Sequence, residues 1–374
     1  MAVVTGTRAE YGLLRTTLAA IHAHPRLTLQ LVVTGMHLLK RFGMTVQQVE
    51  QDGWRIDARI PMQCGDDAPM DQAQGLARGV SGMAAYFERA RTEIVVVLGD
   101  RIEALAGALA AATTGRLLVH VHGGDVAPGD MDDALRDAIT KVAHVHLAAT
   151  RAAANRIIGM GETADRVHVV GAPGLDELLA VANNGRPKCD PTRALVVFHA
   201  SGRPAETEQA TMRAILRAVA AQGLSATVIY PNTDRGHSGI VAAIDDAGQR
   251  MNGQLNVVRS MGRTAYLHAL LSTGVVVGNS SSGIIEAASV GVPCVNIGGR
   301  QAGRLPGGSS VVQSGESYRA IRAAIGRARR RRPDKGMVRS PYGDGGAGER
   351  IAAIIAEMPM TGGFRRKCVV RTKA

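Results

Sequence analysis

The 374-residue sequence predicts an α/β protein made of two doubly wound, parallel-sheet units. Three observations carry that expectation. Short Val-rich runs recur along the chain, each closed by a Gly-containing turn and followed by helically spaced apolar residues, which is how strand, turn and helix alternate in a parallel sheet. Polar and charged residues stand just after those runs, at strand carboxyl ends, where open parallel sheets bind ligands. The length also exceeds the usual single core, so two domains are expected.

Composition fits a folded, water-soluble chain, with 45% apolar and 20% charged residues. No run of about 18 uncharged apolar residues occurs, and Met1 leads into a strand-like run, not into a charged and then apolar leader. The expectation is therefore a cytoplasmic protein, with no membrane partner. Cys64, Cys189, Cys294 and Cys368 are far apart and have neither metal nor disulfide spacing. The formal charge of +12 invites a nucleic-acid reading, but much of the excess is local, in Arg327 to Arg332 and in the tail from Arg365 to Lys373. Aromatics are only 3%, too few for stacking on bases, so these runs read as a solvated helix face and a loose tail.

In order, AVVTGTRAEYGLL is a short strand, a Gly6–Thr7 turn and a helix, with Arg8 at the turn, where a guanidinium can pair with a phosphate. The glycines do not spell GxGxxG, so a dinucleotide site is not indicated. Leu29 to Thr34 is the next strand, delivering Gly35 and His37 to the same edge. Gly53 to Pro61 reads as a strand and Met70 to Arg91 as a long helix. EIVVVLGDRIEALAG then repeats the unit, with Asp100 and Arg101 at its turn; Asp100 suits either a helix cap or a base. In LLVHVHGGD, alternation places His120 and His122 on one strand face, with Asp125, Asp132, Asp133 and Arg136 following. These residues lack the fixed spacing of a metal motif, and no metal is expected. His144 and His146 share a face and read as core or cleft-wall residues.

Pro and Gly in VGAPG mark a boundary, giving an N-terminal unit at 1–170 and a C-terminal unit at 171–346, with a helix at 347–358 returning to the first and a basic, disordered tail at 359–374. In the second unit His199 ends a strand, and PNTDRG brings Asn232 and Asp234 to the edge. VVVGNSSSGIIEAASVGVP, Val275 to Pro293, says most. A Val-rich strand ends at Gly278, and backbone N–H groups, the positive end of a helix dipole and the hydroxyls of Ser280, Ser281 and Ser282 converge on one spot suited to phosphate. Glu286, about one turn on, can accept from both hydroxyls of a ribose. An ordinary Ser-capped helix is the alternative for this stretch taken alone. Arg300 and Arg304 follow the next short strand and suit anionic groups. Two halves with polar strand ends imply a cleft between them.

TGTRAEYGLL, TGMHL, LGDRIEALAGALA, HGGD with DDALRDAITKVAH, VGAPGLDEL, PNTDRG, GNSSSGIIEA, NIGGRQAGR and PYGDG run from Thr5 to Gly345, and in this order the chain resembles the hydrolysing UDP-N-acetylglucosamine 2-epimerases. The resemblance implies a GT-B-like fold of two Rossmann-like domains and conversion of UDP-N-acetylglucosamine to UDP and N-acetylmannosamine without a cofactor. It places Arg8, Arg101, Ser280, Ser281, Arg300 and Arg304 around the diphosphate, Glu286 at the ribose and Tyr266 at the uracil. Asp100, His122 and Asp132 would face the sugar, His199 the diphosphate, and His37, Asn232 and Asp234 the cleft wall. A homodimer or homotetramer is implied as well. The chain departs from the family where His199 is followed by Ala200, not Pro, where Arg136 is followed by Asp137, not His, and at His122, where some relatives carry Glu. These differences leave room for a related nucleotide sugar, a non-hydrolysing epimerase, a glycosyltransferase or a non-catalytic sensor.

Overall fold

Valine-rich segments that must be covered on both faces dictate the architecture, because a parallel strand buried on both sides can be apolar at every position. A computed structural model describes residues 1–64, 68–127, 131–250, 253–331, 340–368 and 370. The chain forms two compact units, one of Met1–Val126, Asp132–Asp176 and Gly345–Ala374, the other of Glu177–Asp344 with Ala127–Met131.

In the first unit β1 (Ala2–Thr5), β2 (Gln30–Thr34), β3 (Ala58–Ile60), β4 (Ile94–Leu98), β5 (Leu117–Val121), β6 (Val145–Ala148) and β7 (Val167–Val169) form one sheet in the order β3-β2-β1-β4-β5-β6-β7. Every pairing is parallel. The strand expected over Gly53 to Pro61 is confined to Ala58–Ile60, and the long helix runs Pro69–Arg89. The second unit repeats the plan with β8 (Asp190–Val197), β9 (Ser225–Ile229), β10 (Leu255–Val258), β11 (Thr273–Gly278), β12 (Cys294–Ile297) and β13 (Val311–Ser314) in the order β10-β9-β8-β11-β12-β13. Its pairings are parallel too. Each sheet therefore reverses its winding once, at β1/β4 in the first unit and β8/β11 in the second. At such a switch point neighbouring loops diverge to opposite faces and leave a crevice at the strand carboxyl ends.

Both faces of each sheet carry apolar helices. Leu14, Leu18 and Ile21 of helix Arg8–Ala23 and Ile351, Ala352 and Ile355 of helix Ala347–Glu357 share one core of the first unit. Each such buried Leu or Ile contributes about 1.5–3 kcal/mol. No helix among the described residues is long and apolar enough to cross a membrane.

The basic tail differs from its sequence reading, whereas the basic helix keeps a solvated face, with Arg327 and Arg330 exposed. Arg327, Arg329 and Arg330 do end the amphipathic helix Tyr318–Arg330, but Arg329 donates to the carbonyls of Gln222 (3.2 Å) and Pro191 (3.4 Å), so it ties the unit together. Arg332, the last of that run, lies outside the described residues, as do Val369 and residues 371–374 of the tail. The described tail is docked, not loose. Phe364 lies under Arg166 (4.3 Å), His144 Nε2 donates to the Arg365 carbonyl (3.0 Å), and Val370 N–H donates to the Gly161 carbonyl (2.7 Å). Lys367 reaches Glu162, which also binds Lys141 (2.7 Å) and His146 (3.1 Å). Burial works against ionisation of Glu162, but these three partners outweigh it and hold its pKa down to about 2. A buried carboxylate with three donors explains why a basic tail settles there.

Candidate functional site

Two clusters of polar residues occupy the two switch points, one on each unit. At β1/β4 the turn after β1 starts helix Arg8–Ala23: Thr7 Oγ1 accepts from Glu10 N–H (3.2 Å), and Glu10 Oε2 accepts from Gly6 N–H (2.8 Å). This reciprocal cap fixes Arg8 at the first helical position. Burial pushes the Glu10 carboxyl up to about 8. After β4, Gly99 turns the chain so that Asp100 and Arg101 precede helix Ile102–Thr113. Arg101 Nε donates to the buried carboxylate of Glu103 (3.3 Å), which also accepts from Gln63 (3.1 Å).

Arg136, 1% exposed, is the centre of this edge. It stands one turn into helix Asp132–Val142, pairs with Asp100 and Asp133, and donates to the Asp125 carbonyl (3.0 Å). Burial opposes its charge, yet the carboxylates of Asp100, Asp125 and Asp133 prevail and raise its pKa above the ordinary arginine range. Asp132 opens the same helix, one turn before Arg136. His122 lies beyond the end of β5 in the left-handed region, φ 65°, so it does not share the strand face of His120 as the alternation suggests. Its Nδ1 faces Asp125 Oδ2 at 3.3 Å. Asp100, His122, Asp125, Asp133 and Arg136 thus form one network.

His37 lies deeper than its place after a strand end suggests. It follows β2, but its side chain is fully buried, with Nε2 against Thr5 Oγ1 (3.2 Å) and Nδ1 against Thr45 Oγ1 (2.8 Å). Burial, with Arg8 nearby, lowers its pKa to about 3. Its ring is enclosed within this unit by Thr5 and Thr45. His144 and His146 are likewise buried, 8% and 0% exposed.

At β8/β11 amide and hydroxyl groups stand beside two ion pairs, Glu286 with Arg263 and Arg300 with Asp234. Asn279, 2% exposed, accepts from His199 N–H and donates to the His199 carbonyl, both at 2.8 Å, joining the carboxyl ends of β8 and β11. His199 Nδ1 accepts from Asn232 N–H (3.2 Å), and Asn232 Oδ1 accepts from Asp234 N–H (3.4 Å). Gly278 is required here: at φ 149° a Cβ would lie 1.9 Å from the Val197 carbonyl oxygen. Ser282 Oγ donates to Ser280 Oγ (3.2 Å), and Tyr266 donates to Ser282 (2.5 Å). Ser281 opens a helix whose middle turn, Gly283–Ala287, is π-helical. Such wide turns recur at functional sites because they re-aim side chains. Glu286 sits in that turn, 3% exposed, and pairs with Arg263 at 2.6 Å. Arg300 approaches Asp234 (3.5 Å), while Arg304 donates to Gln301 (2.7 Å), which donates to the Asn279 carbonyl (2.9 Å).

The structure therefore groups Asp100 with His122 in one unit, and in the other His199 with Asn232 and Asp234, and Ser280 with Ser282 and Tyr266. It adds Asn279, Gln301 and Arg263, which sequence reading passed over. A polar residue immediately after the Gly278 turn was a usable signal for Asn279; nothing local to Arg263 announces Glu286 as its partner, 23 residues on. Among the described residues no group of three or more His, Cys, Asp or Glu could hold a metal ion.

Comparison with known proteins accords with this geometry. A family profile described as UDP-N-acetylglucosamine 2-epimerase matches residues 19–356. The UDP-N,N'-diacetylbacillosamine 2-epimerase (hydrolyzing) of Legionella pneumophila is 32% identical over 373 residues, covering 98% of this chain and 97% of its own. The UDP-N-acetylglucosamine 2-epimerase of Neisseria meningitidis is 31% identical over 318 residues, 82% of each chain. Among solved structures, a UDP-GlcNAc 2-epimerase from Neisseria meningitidis bound to UDP-GlcNAc superposes with a TM-score of 0.74 at 15% identity, covering 96% of this chain and all of that one. The fold is thus the GT-B-like one of such enzymes, and on the strength of the profile and the full-length relative the chain belongs to the UDP-N-acetylglucosamine 2-epimerase family.

Proposed function

We propose that this chain is a hydrolysing 2-epimerase that converts UDP-N-acetylglucosamine to UDP and N-acetylmannosamine. The observation that carries the reading is the Asp100 carboxylate, held by the buried Arg136 at the β1/β4 switch point in a network that includes His122.

The hydrogen on the sugar's carbon 2 is not acidic, so its removal needs a positioned base together with a stabilised leaving group. Asp100, His122 and Asp132 are the groups assigned to proton transfer. One of them takes the carbon 2 proton as the bond between carbon 1 and the UDP oxygen breaks, which leaves a glycal and UDP. Arg8, Arg101, Arg300, Arg304 and the turn of Ser280, Ser281 and Ser282 neutralise the charge gathering on the departing diphosphate, with His199 beside it. Water then adds its hydroxyl at carbon 1, and a proton returns to the opposite face of carbon 2. Glu286, oriented by Arg263, holds the ribose, Tyr266 the uracil, and Asn232 and Asp234 line the wall.

A second reading, a UDP-linked diacetamido sugar as substrate, is favoured by the Legionella relative, whose similarity runs the whole length of both chains. One experiment separates the readings. Purified protein is incubated in deuterated water with UDP-N-acetylglucosamine and, in parallel, with UDP-N,N'-diacetylbacillosamine. Free N-acetylmannosamine carrying deuterium at carbon 2, with stoichiometric UDP, is the expected result. Turnover of the diacetamido sugar alone selects the second reading, and an epimer still attached to UDP overturns hydrolysis.

A further inference from the structure

Beneath the candidate proton-transfer residues lies a histidine that the mechanism does not use. His120, on β5, is fully buried. Its Nε2 is 2.8 Å from the carbonyl of Gly99, the residue before Asp100, and its Nδ1 is 3.1 Å from Thr140 Oγ1. A carbonyl oxygen only accepts, so Nε2 carries the proton, and Nδ1 must accept the Thr140 hydroxyl. That leaves a single tautomer with both nitrogens satisfied. Burial, against the weaker opposite pull of the Gly99 carbonyl, keeps the ring uncharged, with a pKa down to about 3.

The same ring touches the second loop of the edge. A Cβ on Gly123 would meet His120 Nδ1 at 2.9 Å and Thr140 Oγ1 at 3.0 Å, so the turn that carries His122 and Asp125 rests directly on the His120–Thr140 pair. Gly99 N–H in turn donates to the carbonyl of Val121, between the two histidines, at 2.9 Å. The Gly99–Asp100 turn is therefore held from both its N–H and its C=O by β5 and is fastened to the loop of His122 through one side chain.

We propose that His120 is a positioning residue: by donating to the Gly99 carbonyl while supporting Gly123, it sets the direction of the Asp100 carboxylate relative to His122. The inference rests on the reading that Asp100 acts on the sugar. A misdirected base loses rate without losing substrate affinity, because positioning matters most when the proton moves.

The test uses the full-length protein with the nucleotide sugar it turns over best. His120→Leu keeps apolar bulk but removes the donor, and His120→Gln restores an N–H near the Nε2 position. With His120→Leu, kcat is expected to fall about thirty- to one-hundredfold with KM within about threefold, and His120→Gln should recover most of that loss. A folded His120→Leu variant with kcat within twofold of wild type, or a Gln variant no better than Leu, overturns the proposal. Should His120→Leu not fold, Thr140→Val removes the bond that fixes the tautomer, and kcat, not KM, is expected to fall; an unchanged kcat counts against the proposal. A readout independent of turnover is the long-range 1H–15N spectrum of the wild-type imidazole, expected to show the Nε2–H form from pH 6 to 8. A proton on Nδ1 would break the Gly99 contact and with it the inference. Active wild type with an inactive Asp100→Asn sustains the proposed function however the His120 variants behave, so the two failures are distinguishable.

Discussion

The two switch points share one topology and differ in chemistry. At β1/β4 a buried cation, Arg136, gathers the carboxylates of Asp100 and Asp133, while the neutral His120 lies beneath, against the Gly99 carbonyl. At β8/β11 an amide, Asn279, and a run of hydroxyls are braced by neutral hydrogen bonds. Ionisable groups held by a fixed counter-charge suit proton transfer, whereas amide, hydroxyl and backbone N–H donors suit a bound anion and do not change charge with pH. The same crossing of strands can thus be furnished for either task; on the reading proposed above the first edge supplies the proton-transfer groups together with Arg8 and Arg101 for the diphosphate, and the second the serine turn.

The comparison is most strongly tested at Asp100. Asp100→Asn keeps the shape but removes the base, and kcat should fall by about a thousandfold while UDP affinity, measured by calorimetry, stays within about threefold. Asp132→Asn should behave in the same way. Comparable loss of UDP binding would mean that the two edges do not divide the work. Arg136→Met leaves carboxylates facing each other around an apolar chain, and unfolding in urea should show a loss of about 3 kcal/mol. A variant as stable as wild type would show that the network is not held by its cation. Asn279→Ala strands the His199 N–H and C=O groups and should cost about 2 kcal/mol, with UDP binding weakened about tenfold and kcat little changed. A selective fall in kcat would place proton transfer at the second edge.

The smallest effect concerns pH. His37 titrates near 3 in the folded chain, against about 6.5 when unfolded. Above pH 6.5 it is neutral in both states and costs nothing. As pH falls toward 3 only the unfolded chain takes up the proton, so stability drops by about 1.4 kcal/mol per pH unit. His120 acts in the same sense, and Glu10, pushed up to about 8, acts in the opposite one between pH 8 and 4.5, so the net slope is smaller than the sum of the histidines. Urea titrations at pH 6 and 5 should therefore show the slope of His37→Gln reduced by about 1.4 kcal/mol per unit relative to wild type. An identical slope would mean that the imidazole is already protonated in the core.

Much of the fold was legible because strand, turn and helix depend on neighbours a few residues apart. GTRAEY, LGDRIE and GNSSSG each spell a strand end, a turn and a helix start, and each stands at a switch point. Legibility failed where a residue's environment was remote. His37 and His122 look alike as polar residues near strand ends, yet one is enclosed by Thr5 and Thr45 and the other sits in a left-handed turn at φ 65°. The tail read as loose because its charges are visible in sequence and the waiting carboxylate, Glu162, is some 200 residues away.

By itself the sequence determined the alternation of strands and helices, the Gly-marked turns and the identity of the groups delivered to the strand ends, since those follow from local sterics and apolar spacing. Tertiary structure alone decided which of these groups meet: Asp100 with Arg136 across 36 residues, His199 with Asn279 across 80. Such pairings are set by strand order, and a switch point brings together loops that no local pattern connects.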